Sequence, residues 1–180
     1  MKTEIDAALA PLVGLSLLGA GRHGGLLQLQ FGGRNDSPAG RNGAGVAGRY
    51  TLHVSCSWRL ASADGILTGS GDYFTPADPE ADPDGFDWEE PGGNWCDVRL
   101  NAFMTAVASE PPRVASAVAD IVGGMALNLA GDLTLAVFPD SSHTEHVETE
   151  FWRLLEPGDD VLPLVVSSDG VDRVAGSDDD

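Results

Sequence analysis

Apolar and polar residues alternate in a short stretch that follows a pair of glycines. Residues 26–31 read Leu-Leu-Gln-Leu-Gln-Phe, and Gly24-Gly25 comes directly before them. A period of two places successive side chains on opposite faces of a β-strand. Glycine supplies the positive φ that tight hairpin turns require. The chain is therefore predicted to be rich in antiparallel strands.

The same succession of features occurs twice along the chain. A glycine pair is followed by two apolar stretches, by the tripeptide Trp-Arg-Leu, and by a turn with a further apolar stretch. The main recurring features are the glycine pairs 24–25 and 123–124, the stretches 50–54 and 133–137, and the tripeptides 58–60 and 152–154. This recurrence predicts an internal duplication with half-repeats at about residues 12–70 and 114–166.

A loop and a helix are predicted between the two halves, over residues 72–110. Asn94 or Asp97 is a suitable N-terminal cap for this helix, and Pro111-Pro112 ends it. The expected fold class is α+β, mainly β. We expect two similar four-stranded antiparallel units, joined by one helix, in a single domain over residues 1–180.

The charge of the chain restricts its partners. Ten basic residues stand against 28 acidic ones, and the formal net charge is −18 at pH 7. Such a surface repels nucleic acid and anionic lipid, so neither nucleic acid nor a membrane is expected as a partner. A basic protein is the favoured partner. Solubility, including adaptation to high salt, is the alternative explanation of the acidity, and the oligomeric state is left open.

The N-terminus and the cysteines favour a cytoplasmic protein. Glu4 and Asp6 occupy the region where a signal peptide carries positive charge. Cys56 and Cys96 lie far apart and form no Cys-x-x-Cys motif, so reduced thiols are expected. One disulfide between them is the alternative.

The densest group of potential metal ligands lies at residues 140–150. His143 and His146 have a spacing that brings two imidazoles onto one helical turn, and Asp140 or Glu150 would complete a site for a transition metal. The alternative is a polar connection between two strands. The acidic segment at residues 78–90 lacks the distal glutamate of a calcium loop, so a solvated segment is favoured there and a Ca²⁺ site is the alternative. No cofactor is predicted.

Three further residues are candidates for contact with a ligand or partner. Arg59 and Arg153 each follow a tryptophan of the repeated tripeptide, and His53 lies within a predicted strand. The alternatives are that the arginines pair with carboxylates across a sheet and that His53 is a half-buried structural histidine.

Several of these segments together resemble a family of small uncharacterised actinobacterial proteins. The resemblance is carried by 138–142 (Phe-Pro-Asp-Ser-Ser), 150–155 (Glu-Phe-Trp-Arg-Leu-Leu), 52–54, 58–60 and 69–72. It implies a cytoplasmic bacterial protein. It brings no activity, cofactor or site residue.

Two functional hypotheses follow from the sequence. The first is an acidic binding protein without catalysis, which engages a basic protein in the manner of an immunity protein or inhibitor. The second is a small enzyme or ligand-binding domain, with a pocket of histidines and carboxylates between the two half-sheets. The charge and the lack of an organised catalytic motif favour the first.

Overall fold

Eleven strands form two antiparallel sheets in the computed structural model, which describes residues 1–33, 50–82, 85–142, 148–157 and 161–174. Two α-helices, α1 (Lys2–Leu9) and α2 (Trp95–Ala106), and two 3-10 helices, Ala10–Leu12 and Ser70–Phe74, accompany them. The predicted mainly β class is confirmed. The strands are β1 (Ser16–His23), β2 (Leu26–Gly32), β3 (Tyr50–Val54), β4 (Trp58–Ser62), β5 (Gly65–Gly69), β6 (Val114–Ala119), β7 (Met125–Leu129), β8 (Leu133–Val137), β9 (Glu150–Leu155), β10 (Leu164–Ser167) and β11 (Gly170–Arg173).

The chain crosses between the two sheets twice. Sheet A has the order β1-β2-β3-β9-β10-β11, and sheet B has the order β5-β4-β8-β7-β6. Residues 12–70 contain five strands, of which three lie in sheet A and two in sheet B. The predicted four-stranded unit is therefore not confirmed. Local alternation marks each strand but does not show which sheet the strand joins. The chain passes to the other sheet at residues 55–57, where hydrogen bonds to a distant residue hold it. The N–H groups of Ser55 and Cys56 donate to Phe151 O at 2.9 and 3.2 Å.

The two helices pack against edge strands. Asn94 caps α2 as predicted, because its side-chain oxygen accepts from Asp97 N at 3.0 Å. α2 contacts β1 and β5, which are edge strands of different sheets, and buries Cys96 and Leu100. α1 was not predicted from the sequence; it packs against β6. Neither helix is long and apolar enough to cross a membrane.

Both sheets contribute their inner faces to one apolar core. Trp58 and Trp152, which are 2 % and 0 % exposed, are its largest members. Their indole N–H groups donate to Tyr73 Oη at 2.8 Å and to Gly123 O at 2.7 Å. A cavity of only about 10 Å³ lies between the sheets and α2, and apolar side chains line it. The core is thus filled and leaves no room for a ligand at that position.

Candidate functional site

The outer face of sheet B carries an apolar row that crosses four strands. Its members are paired in the register of neighbouring strands. They are Arg59 of β4, Ala136 of β8, Ala126 of β7 and Val118 of β6. The strand neighbours of Arg59, Ala136 and Ala126 are buried, and Val118 stands between the buried Ala119 and the half-buried Ala117, so alternation turns these four side chains outward. We call this row, together with Phe138 at the end of β8, the sheet B face.

A second outward row of the same sheet is polar and satisfies itself. Asn128 Nδ2 donates to Ser116 Oγ at 2.8 Å, and Thr134 Oγ1 donates to Asn128 Oδ1 at 3.1 Å. Because these groups already have partners, the row offers little to a ligand. The apolar row beside it has no comparable network.

An open cleft of about 900 Å³ adjoins the sheet B face at Arg59. Ile66 and Phe74 line it and are 61 % and 62 % exposed. The Arg59 guanidinium carbon lies 5.6 Å from the centroid of the Phe138 ring, within the range of a cation–π contact. Arg59 forms no ion pair with any of the described carboxylates. The cleft therefore combines exposed apolar side chains with one cation, Arg59, that has no acidic partner among the described residues.

A chain of aromatic rings supports the far wall of this cleft. The rings of Trp58 and Tyr73 have centroids 6.2 Å apart, and Tyr73 stacks on Trp88 at 6.5 Å. Trp88 in turn contacts Phe74 at 5.3 Å. These rings connect the core to residues 75–82 and 85–93, which we call the acidic loop. The ring contacts of Tyr73 and Trp88 hold this loop against the body.

A buried ion pair fixes the other side of the acidic loop. Arg22 Nε and Nη2 donate to the two carboxylate oxygens of Asp97 at 2.9 and 2.8 Å. Arg22 also donates to Trp88 O at 2.9 Å, and its side chain is only 2 % exposed. The hydrogen bonds with Asp97 raise the pKa of Arg22, which keeps the charge in place. The pair therefore ties β1, α2 and the acidic loop together.

The carboxylates of the acidic loop face solvent. Asp78, Glu80, Asp87, Glu89 and Glu90 are exposed, and none of them forms an ion pair with a described cation. Asp78 and Asp87 each accept a hydrogen bond, at 2.9 Å, from the backbone N–H two residues further on. This turn geometry orders the backbone at Asp78–Glu80 and at Asp87–Glu89, while the five named carboxylates have no described cation as a partner.

His53 and Arg153 lie together on sheet A, whereas Arg59 lies apart on sheet B. His53 is opposite Arg153 in the register of β3 and β9, and its Nε2 lies 3.0 Å from Gln28 Nε2. Arg153 pairs with Glu150 of the same strand, β9, rather than with a carboxylate across the sheet. Burial, and then the charge of Arg153, lower the pKa of His53. This row is a satisfied polar network on the outer side of the sheet.

The predicted pocket of histidines and carboxylates between the half-sheets is not found in the described residues. His53 alternates with Leu52 and Val54, which are both 0 % exposed, so its side chain lies on the opposite face from the core. The space that the pocket required is filled by the apolar side chains of both sheets.

The predicted metal site is only partly within the described residues. His143 and His146 lie outside them. Asp140 accepts a hydrogen bond from Ser57 Oγ at 2.6 Å beside the cleft, while Glu150 is engaged by Arg153 in sheet A. No group of three or more His, Cys, Asp or Glu side chains in the described ranges is arranged to hold a metal ion. The four-residue site therefore stays a prediction.

Neither cysteine has the properties of an activated nucleophile. Both are free thiols, with Cys96 fully buried and Cys56 half-buried at the cleft. Burial, and then the nearby charge of Asp140, raise the pKa of Cys56 to about 12. Burial likewise raises the pKa of Cys96 to about 11. At neutral pH both therefore remain protonated, and the reactive form of a cysteine is the thiolate.

Comparisons with protein-family models, with curated proteins and with solved structures gave no match. The resemblance to the actinobacterial family therefore stays a prediction.

Proposed function

We propose that this chain is a non-catalytic binding protein whose acidic surface engages a basic protein, in the manner of an immunity protein or inhibitor. The observation that carries the proposal is the distribution of its ion pairs. Most of the described cations are neutralised internally, whereas Asp78, Glu80, Asp87, Glu89 and Glu90 of the acidic loop form no ion pair with a described cation. Complementary charge accelerates association and selects the partner.

The internal neutralisation is extensive. Seven basic residues lie within the described ranges, and five of these form an ion pair with a carboxylate. The five pairs are Lys2–Asp6, Arg22–Asp97, Arg99–Asp72, Arg153–Glu150 and Arg173–Glu156. The outward field is consequently dominated by acidic side chains. A partner gains most by presenting lysine and arginine to that field.

Affinity capture tests this proposal. Tagged protein is incubated at low salt with a lysate of the source cells, and bound protein is eluted by raising the salt. We expect one basic protein in stoichiometric amount. A variant with Asp78→Asn, Glu80→Gln, Glu89→Gln and Glu90→Gln should retain less of it. The matched control exchanges Asp and Glu at the same four positions and should bind normally. A neutral or acidic partner, or equal retention by both variants, would contradict the proposal.

We further propose that the fold arose by duplication of a unit of five strands. The support is a shared register at the two sheet crossings. Trp58 lies opposite Val137 of β8, and Trp152 lies opposite Val54 of β3. The first strand of each half also carries a bulge near its start, between Leu17 and Gly19 and between Val114 and Ser116. Superposition of β1–β5 on β6–β10 in an experimental structure tests this. Tryptophans at unrelated positions would contradict it.

We also propose that the protein works in the bacterial cytoplasm. The resemblance to actinobacterial proteins supports this, and so do the two free thiols, because a reducing compartment keeps cysteines unpaired. Cell fractionation with an antibody against the chain provides the test. Recovery with the secreted or envelope fraction would contradict the assignment.

A further inference from the structure

Six of the thirteen large apolar residues that are exposed in the described ranges lie in sheet B or in the segments next to its strands. Val118 and Phe138 line a hollow of about 470 Å³ together with Arg59, and Phe138 and Arg59 also line the cleft that holds Ile66 and Phe74. These shared residues make the hollow and the cleft one continuous surface. Ile121 and Val122 follow β6 at its turn and are 79 % and 60 % exposed. Continuous apolar patches of this kind mark interaction sites on soluble proteins.

The turn that carries Ile121 and Val122 is held in a fixed conformation. Asp120 Oδ1 accepts hydrogen bonds from the N–H groups of Val122 and Gly124, each at 2.8 Å. A Cβ at Gly124 would lie 2.4 Å from Asp120 Oδ2, so this turn requires glycine there. Gly123 O is also bound by the buried Trp152 indole. Two apolar side chains are thus displayed on a rigid support, which lowers the entropic cost of binding.

We propose that the sheet B face and the Ile121-Val122 turn form the docking surface for an apolar segment of the basic partner. This inference rests on the proposed function and identifies the surface that performs it. The partner segment would place apolar side chains on Val118, Ile121 and Phe138. Its lysine or arginine side chains would meet the surrounding carboxylates, among them Asp120 and Asp140, which are exposed beside the patch.

Charge complementarity selects this occupant over a second copy of the chain. Two copies would each carry a formal net charge of −18, and repulsion between two acidic molecules opposes their association. A basic segment brings the opposite sign. Arg59 is the exception within the patch, and it would require one acceptor, a carboxylate or backbone carbonyl, on the partner segment.

The test uses two synthetic peptides as probes, one of alternating lysine and leucine and one of alternating lysine and glycine. Binding is followed by NMR of the labelled methyl groups of valine, isoleucine and leucine. We expect the lysine–leucine peptide to bind at least about tenfold more tightly than the lysine–glycine peptide. Its binding should shift the resonances of Val118, Ile121 and Val122.

Substitutions that add negative charge separate apolar contact from electrostatics. Val118→Asp with Ile121→Asp should weaken lysine–leucine binding by about tenfold, although the added charge attracts the peptide. Val174→Asp, at an exposed position after β11 in sheet A, is the control and should not weaken it.

Equal affinity of both peptides, or unchanged binding by the double variant, would overturn the proposed docking surface but not the proposed function. Failure of the lysine–glycine peptide to bind at low salt would instead count against the charge-based function. Analytical ultracentrifugation would detect a dimer. A dimer that dissociates in the Ile121→Asp variant would assign this face to a second copy of the chain and overturn the proposal.

Discussion

The buried ion pair between Arg22 and Asp97 provides the sharpest stability prediction. Asp97→Asn keeps the shape of the side chain but replaces one carboxylate oxygen with an N–H donor. That donor would face the donors of Arg22, Gly92 and Asn94, which now converge on Asp97 Oδ2 at 2.8, 2.9 and 3.3 Å. The Arg22 charge, only 2 % exposed, would then lack a counter-charge.

The expected cost follows from this geometry. Removing one partner of a buried pair costs about 3–5 kcal/mol because a charge is left in a poorly solvated site. The Asp97 side chain is 16 % exposed, which allows some water to compensate, so we expect a value near the lower end, about 3 kcal/mol. Glu156→Gln is the control, since it breaks the pair with Arg173, whose side chain is 46 % exposed. That change should cost at most about 1 kcal/mol.

Urea unfolding followed by tryptophan fluorescence measures both variants. The midpoint should fall strongly for Asp97→Asn with an unchanged dependence on denaturant, because the surface exposed on unfolding stays the same. Replacing both partners with apolar residues, Arg22→Met with Asp97→Leu, should recover much of the loss. A cost for Asp97→Asn below about 1 kcal/mol would show that water solvates the pair, and the pair would then not behave as a buried one.

The pH dependence gives an independent check on the same pair. Burial alone would raise the pKa of Asp97, but hydrogen bonds from Arg22 and from Gly92 outweigh it and lower the pKa. A carboxyl with a lowered folded-state pKa contributes its full stability above the unfolded value of about 3.9 and loses it as the pH falls. The stability difference between the natural protein and Asp97→Asn should therefore shrink below about pH 4. A difference that stays constant down to low pH would contradict this assignment.

Three further predictions concern the core and the two titratable side chains already described. Trp58→Ala and Trp152→Ala should each cost about 3–5 kcal/mol in urea unfolding, and a loss below about 1 kcal/mol would show that the site is not part of the core. Because burial raises the pKa of Cys56 to about 12, iodoacetamide should alkylate it on the order of a thousandfold more slowly than in the unfolded chain at pH 8; equal rates would contradict its burial. The imidazole of His53 should titrate below about pH 6.5 by NMR, since burial and then the charge of Arg153 lower its pKa, and a higher midpoint would show that the imidazole is not buried beside Arg153.

Local patterns in the sequence predicted most of the strands. Alternation and glycine turns located β2, β3, β7 and β8, and the asparagine cap located the start of α2. The same signals failed where they were weak. β11 is only four residues long, and α1 has no side-chain cap at its N-terminus. The apolar residues before Gly123 continue to Val122, which suggests a longer strand, but β6 ends at Ala119 and Ile121 lies in the turn.

The arrangement of the sheets and the candidate site depend on contacts between distant residues. Nothing local to residues 55–57 indicates that β4 belongs to the second sheet. Arg22 and Asp97 are 75 residues apart, and neither position signals the other. The exposed pair Ile121-Val122 did carry a signal, because β-branched apolar residues are unusual in a hairpin turn, where glycine and polar residues are common. Recognising it required the end of β6, which the sequence placed too late.

The dependence of partner binding on salt is the strongest test of the proposal that an acidic surface engages a basic protein. The affinity of the captured basic protein is measured by titration calorimetry from low to high ionic strength. Exposed charges are screened over roughly 8 Å at physiological ionic strength, so an interface steered by the acidic surface loses affinity as salt is added. We predict a steady weakening across the series, smaller for the variant with a neutralised acidic loop. An affinity that is the same at every salt concentration would contradict the account.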